Sequence, residues 1–127
     1  MTLEEFESTL DAVLADVDRT LEERWAGRWP LHPARPAAGA AANPRYDGII
    51  RVTAAFTAGY GSEKGPGYLL RVEPATLEDV PAADRKALED EAAALVRDGL
   101  ATDFPDRDLR VERDGGPYKI FGDLSLG

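Results

Sequence analysis

The side chains able to do chemistry are unevenly supplied. The 127 residues hold twenty-four carboxylates and fifteen Lys and Arg, but one histidine and no cysteine. Without cysteine there is no disulfide, no thiolate metal site and no cysteine nucleophile. With a single histidine, a zinc site would have to be built almost wholly from carboxylates, which structural zinc rarely accepts. No metal or other cofactor is therefore expected. His32 lies between Leu31 and Pro33 and reads as a titrating surface group. Acids are spread along the whole chain, so their number singles out no acid/base pair.

The glycine-rich stretch from Gly59 to Gly67 is the first motif candidate. A phosphate cradle needs G-x-x-x-x-G-K-[ST] between a strand and a helix. Here Lys64 stands five residues after Gly59, Pro66 five after Gly61, and the stretch leads into a strand pattern. It reads as a hairpin loop; the functional alternative is a flap in which Lys64 supplies charge. A nucleophile elbow around Ser62 would need glycine at 60 and 64, where Tyr60 and Lys64 stand. Asp103, Asp106 and Asp108 cluster three carboxylates, but Arg107 interrupts them and the order of a calcium loop is not met. That run reads as a solvated loop.

Charge distribution is more informative. Residues 1–23 hold eight acids against one arginine, whereas residues 24–46 hold four arginines and no acid, within a net charge of −9. A polyanion such as nucleic acid would be repelled by the summed field. The basic stretch carries Arg24, Trp25, Arg28 and Trp29, an arginine–tryptophan pairing used at interfaces. The structural alternative is equally physical. Acids early and arginines late in a helix complement its dipole, and tryptophans plug the edge of a core.

Four ordered regions must position these groups. Leu3, Phe6, Leu10, Val13, Leu14, Val17, Leu21 and Trp25 recur at steps of three and four, which predicts a helix over 3–27, opened by a Thr2–Glu5 capping box. Four prolines and six alanines between 30 and 44 break all periodicity, so 30–46 reads as a long, irregular, partly mobile connection within a single domain of 1–127. Alternation predicts strands over 48–60 and 67–74. A second helix is expected over 80–101, with Pro81 at its first position and Gly99 a possible early stop. Two more strands are expected, one from Leu109 to Arg113 and one from Tyr118 to Leu126, joined by Asp114-Gly-Gly-Pro117.

The order α-β-β-α-β-β, with short loops between consecutive strands, predicts an α+β fold. Its four-stranded, mainly antiparallel sheet should carry two helices on one face. The other face would then present Arg51, Thr53, Thr57, Arg71, Glu73, Arg110, Glu112, Lys119, Phe121, Asp123 and Ser125. Mixed charges there read as a solvated surface with cross-strand ion pairs, Phe121 being the aromatic exception. This element order and acidic balance are similar in layout to the small, acidic, dimeric chaperones that hold bacterial secretion effectors. No motif is shared, and that family's additional strand and final helix are missing, so no residue role is carried over.

No run of 18 apolar residues and no basic start are present, so a cytoplasmic protein without a membrane span is expected. No nucleophile–base set can be assembled, which favours a non-catalytic binding or adaptor module over an enzyme. Its partner would be another protein or a second copy of itself, as in a homodimer. Candidate contact residues are Arg24, Trp25, Arg28, Trp29, Arg51, Lys64, Arg71 and Phe121. The alternative is a small-ligand-binding domain or enzyme, its pocket between the first helix and the sheet, lidded by residues 28–46 and 61–67.

Overall fold

The computed structural model describes residues 1–126. The apolar stripe at the N-terminus forms helix α1, Leu3–Trp25, and buries Phe6, Leu10, Val13, Leu14, Val17, Leu21 and Trp25. The capping box closes as its residue types require: Thr2 Oγ1 accepts from the Glu5 amide at 3.1 Å, and the Glu5 carboxylate accepts from the Thr2 amide at 3.4 Å. Helix α2 spans Ala82–Asp103. Pro81 holds the position before its first turn rather than within it, since its fixed φ suits either place. Gly99 does not end this helix. A side chain there would come within 2.7 Å of Val13 Cγ1, so glycine is what lets α1 and α2 approach closely.

The four strands are β1 (Ile50–Thr57), β2 (Gly67–Pro74), β3 (Leu109–Arg113) and β4 (Tyr118–Gly122). They form one sheet in the order β1-β2-β4-β3, with every neighbouring pair antiparallel. Ile50, Val52, Tyr68, Leu70, Val72, Val111 and Ile120 share a core with the apolar faces of both helices. Arg51, Arg71, Arg110 and Glu112 are exposed on the opposite face. The expected two-layer α+β architecture is therefore the observed one.

Three details differ from the sequence reading. Strand β1 is shorter than 48–60, and Phe56 near its end is 61% exposed because the core stops short of it. Strand β4 ends at Gly122 rather than continuing to Leu126. Gly122 has φ +116, and the Asp123 amide turns to the Asp108 carbonyl at 3.0 Å. Asp123 and Ser125 thus leave the open face. Lys119, expected to be solvated there, is 1% exposed, because the loop between β1 and β2 folds over it.

The segment over 30–46 is irregular, but it is tied down. Arg35 donates to the carbonyls of Arg45, Asp47, Gly48 and Ile50 at 2.6–3.3 Å. The buried Asp47 carboxylate accepts from the amides of Gly39 and Ala41 at 3.1 and 2.9 Å. A short 3-10 turn, Pro44–Tyr46, leads from there towards β1.

Candidate functional site

Each outer edge of the sheet is capped by side chains over part of its length. On β1, Glu22 accepts from the amides of Ile49 and Ile50 at 2.8 and 3.0 Å, while Arg35 donates to the Ile50 carbonyl at 3.3 Å. On β3, Arg97 donates twice to the Val111 carbonyl, at 3.0 and 2.7 Å. Such groups remove the template that an exposed edge offers to another chain. The caps cover the start of β1 and the middle of β3.

An inner edge remains open. Strand β2 pairs with β4 only from Gly67 to Leu70. Beyond Tyr118, the line of β4 is empty, and the antiparallel alternation turns the Val72 N–H and C=O to that side. A polar cavity of about 630 Å³ occupies this notch. Arg51 and Arg71 line it from the sheet face, Arg85 and Glu89 from α2, and Pro117 from the approach to β4. Arg71 lies 3.9 Å from Glu73, and Glu89 is engaged by Arg113 at 3.1 Å. Among the described residues, Arg51 and Arg85 have no carboxylate at ion-pair distance.

The remaining candidates fall into two separate places. At the end of α1, Arg24 and the Trp25 indole N–H both donate to Glu91 of α2, at 2.6 and 2.8 Å. Burial works against ionisation of Glu91, but hydrogen bonds from Arg24 and Trp25 outweigh it and hold its carboxyl below the usual range. Trp25 is buried and stacks on Trp29 at 5.6 Å, with Arg28 over its ring at 4.7 Å. Arg24 and Trp25 thus clamp the two helices together. Lys64 lies over the Phe121 ring at 5.8 Å. Phe121 is opposite Gly67, whereas Arg51 is opposite Glu73 at the far end of β2, so the eight candidates do not converge.

Ser62 and Lys119 meet in the fold although they lie far apart in the chain. Lys119 Nζ donates to Asp114 at 2.8 Å, to Ser62 Oγ at 3.3 Å and to the Gly65 carbonyl. Ser62 Oγ donates to Asp114 at 2.7 Å. These bonds, Lys119's first and Ser62's second, hold the Asp114 carboxyl below its ordinary range. Ser62 Oγ already donates to Asp114, and Lys119 Nζ donates to all three of its neighbours, so the cluster clamps the loop rather than forming a nucleophile. His32 Nδ1 accepts from the Ala34 amide at 3.0 Å, a local turn bond.

A second cavity, about 260 Å³, lies between α1 and β1 beneath residues 42–45. Part of the expected lid is in place; residues 61–67 do not line it, because they fold over the other sheet face. Asp18 is among its walls and is 2% exposed. Its Oδ2 has no hydrogen-bond partner. Burial first, and the negative charge of Glu22 second, push this carboxyl up to about 7 against the pull of the Val52 amide and Arg35. Among the described residues no cluster of His, Cys, Asp and Glu is suited to a metal, and no helix is long and apolar enough to cross a membrane.

A family model described as "Uncharacterised protein" matches residues 1–122. The chain belongs to that family. A relative in Borreliella burgdorferi (strain B31), bearing the name "Uncharacterized protein", is 40% identical over 118 residues, covering 93% of this chain and 92% of the relative. No solved structure matches.

Asp18 and Arg85 were missed in the sequence. The signal for Asp18 was present: it follows Leu14 by four residues and Val17 by one, on the flank of a stripe otherwise apolar. Arg85 had no such signal, since only the shortness of β4 brings α2 to the notch.

Proposed function

We propose that the protein is a non-catalytic binding module that takes an extended, acidic segment of a partner protein in the notch beside β2. The segment would continue the line of β4, pairing with Val72 and pointing alternate side chains to the sheet face and to α2. Carboxylates on it would meet Arg51 and Arg71 on one side and Arg85 on the other. The observation that carries this reading is the pair of arginines, Arg51 and Arg85, left without carboxylate partners among the described residues, in a cavity of about 630 Å³ on an acidic protein. Arginine suits the role because its planar fork matches a carboxylate with two parallel bonds.

Fluorescence anisotropy tests it, using a dye-labelled peptide of alternating Asp and Val, with an Asn-for-Asp peptide as control. The acidic peptide should bind in a salt-sensitive manner. The double variant Arg51→Ala/Arg85→Ala should weaken binding about tenfold or more, near 1.4 kcal/mol. Equal binding of the two peptides, or an unaffected double variant, would refute the notch as the docking site.

A further inference from the structure

We propose that the cavity between α1 and β1 is a separate binding site for a small organic cation, an alkylammonium group held by Asp18 Oδ2. Every other polar group beside that carboxyl is already engaged. Glu22 accepts from Ile49 and Ile50, and Asp47 accepts from Gly39 and Ala41. Arg35, the nearby cation, is divided among four carbonyl oxygens. Asp18 Oδ2 is the one buried side-chain polar atom without a partner among the described residues. A native interior rarely leaves such an atom unbonded, because desolvation without a replacement hydrogen bond is costly.

The walls fix the ligand's character. Ala15, Leu14, Val52 and Pro44 give an apolar surface, so the body of the ligand is a short hydrocarbon. About 260 Å³ is the room of about nine waters at about 30 Å³ each, so the ligand is small. Charge selects the head group. Asp18 has Glu22 and Asp47 as negative neighbours and Arg35 as an opposing cation, but Arg35 is spent on carbonyl oxygens and the wall arginines Arg19 and Arg45 are paired with Asp16 and Asp11, which leaves Asp18 as the unpaired charge for a cation to meet. At the mouth, Arg45 of the roof reaches Asp11 of α1 at 3.3 Å. This exposed pair is weak enough to open and close over a ligand.

The facing titratable groups make the site pH-dependent. Glu22, Asp11 and Arg19 lie on the same helix, Asp47, Arg35 and Arg45 come from the tied segment, and Val52 contributes only its amide. An ammonium group would stabilise ionised Asp18 and displace its proton. The experiment is an NMR titration of the full chain with butylammonium, using butanol as the uncharged isostere. Saturable shifts at the amides of residues 42–45 and of Val52 are expected with butylammonium, at least tenfold weaker with butanol, and weakened at least tenfold in Asp18→Asn. In the carboxyl-carbon spectrum the Asp18 midpoint should fall when butylammonium is present. Equal binding of amine and alcohol, full binding by Asp18→Asn, or an Asp18 midpoint unmoved at saturating butylammonium would each overturn the proposal. Arg45→Ala provides a second check, because opening the mouth should speed amine exchange while retaining the preference over butanol; loss of that preference would also count against it.

Discussion

Lys119 and Asp18 are both buried charged groups, 1% and 2% exposed, yet their surroundings are opposite. Lys119 sits among a carboxylate, a hydroxyl and a carbonyl, and each of these accepts a hydrogen bond from its amine nitrogen. Asp18 sits beside two further acids and keeps one oxygen unbonded. The first arrangement offsets the desolvation of the charge and fastens a loop. The second leaves that cost uncompensated, and the carboxyl responds by holding its proton towards neutrality. A buried charge is thus a structural clamp where its partners are complete, and a group with a displaced titration where they are not.

The largest expected effect comes from breaking the satisfied side of this contrast. Lys119→Ala removes a fully buried stem and releases Ser62, Gly65 and Asp114 together, and should cost about 4 kcal/mol of unfolding free energy in a urea titration. Lys119→Met, which keeps the stem, should recover part of that loss. If both variants unfold at the wild-type urea concentration, Lys119 is no clamp.

Relieving the unsatisfied side should act in the other direction. In the unfolded chain Asp18 titrates near the ordinary 3.8, and in the folded chain near 7. Between those values the native state keeps a proton that the unfolded state has lost. The group's contribution is therefore whole at the acidic end and declines as pH rises through the window. The shift is worth up to about 4 kcal/mol at roughly 1.4 kcal/mol per pH unit, and with solvent screening at the cavity mouth Asp18→Asn should stabilise the protein by about 3 kcal/mol at about pH 8. At about pH 4 the gain should vanish. A constant difference across pH would show that Asp18 does not titrate in this range.

A smaller effect sharpens the comparison by changing Asp18's neighbour. Gly48 has φ +74, and a Cβ there would fall 2.5 Å from Glu22 Oε2. Gly48→Ala should cost about 2 kcal/mol through backbone strain and the loss of the Glu22 bonds to β1. It should also bring the Asp18 midpoint down, because the second cause of its elevation moves away. Thermal melts and carboxyl NMR read the two consequences separately; an unchanged midpoint would show that Glu22 does not raise it.

The helices and strand pairing were legible because their signals are local. The stripe from Phe6 to Trp25 and the Thr2–Glu5 box lie within one element, and short connections between alternating segments leave little choice but antiparallel neighbours. The end of β4 was not legible: Leu124 and Leu126 continue the alternation, and only the turn at Gly122, with its bond to the Asp108 carbonyl, takes the chain off the sheet. The candidate surfaces were half legible. Arg51 and Arg71 were placed on the open face by parity alone, but their meeting with Arg85 depends on β4 being shorter than β2.

Sequence by itself thus determined the α+β class, the faces of both helices and the parity of each strand, since these follow from periodicity and short-range capping. Tertiary structure alone decided which charges are buried and with whom. Glu22 reaches Ile49 and Ile50 across 27 and 28 residues, and Lys119 reaches Ser62 across 57. The cost of taking an ion out of water depends on every group packed around it, and no spacing along the chain encodes that set.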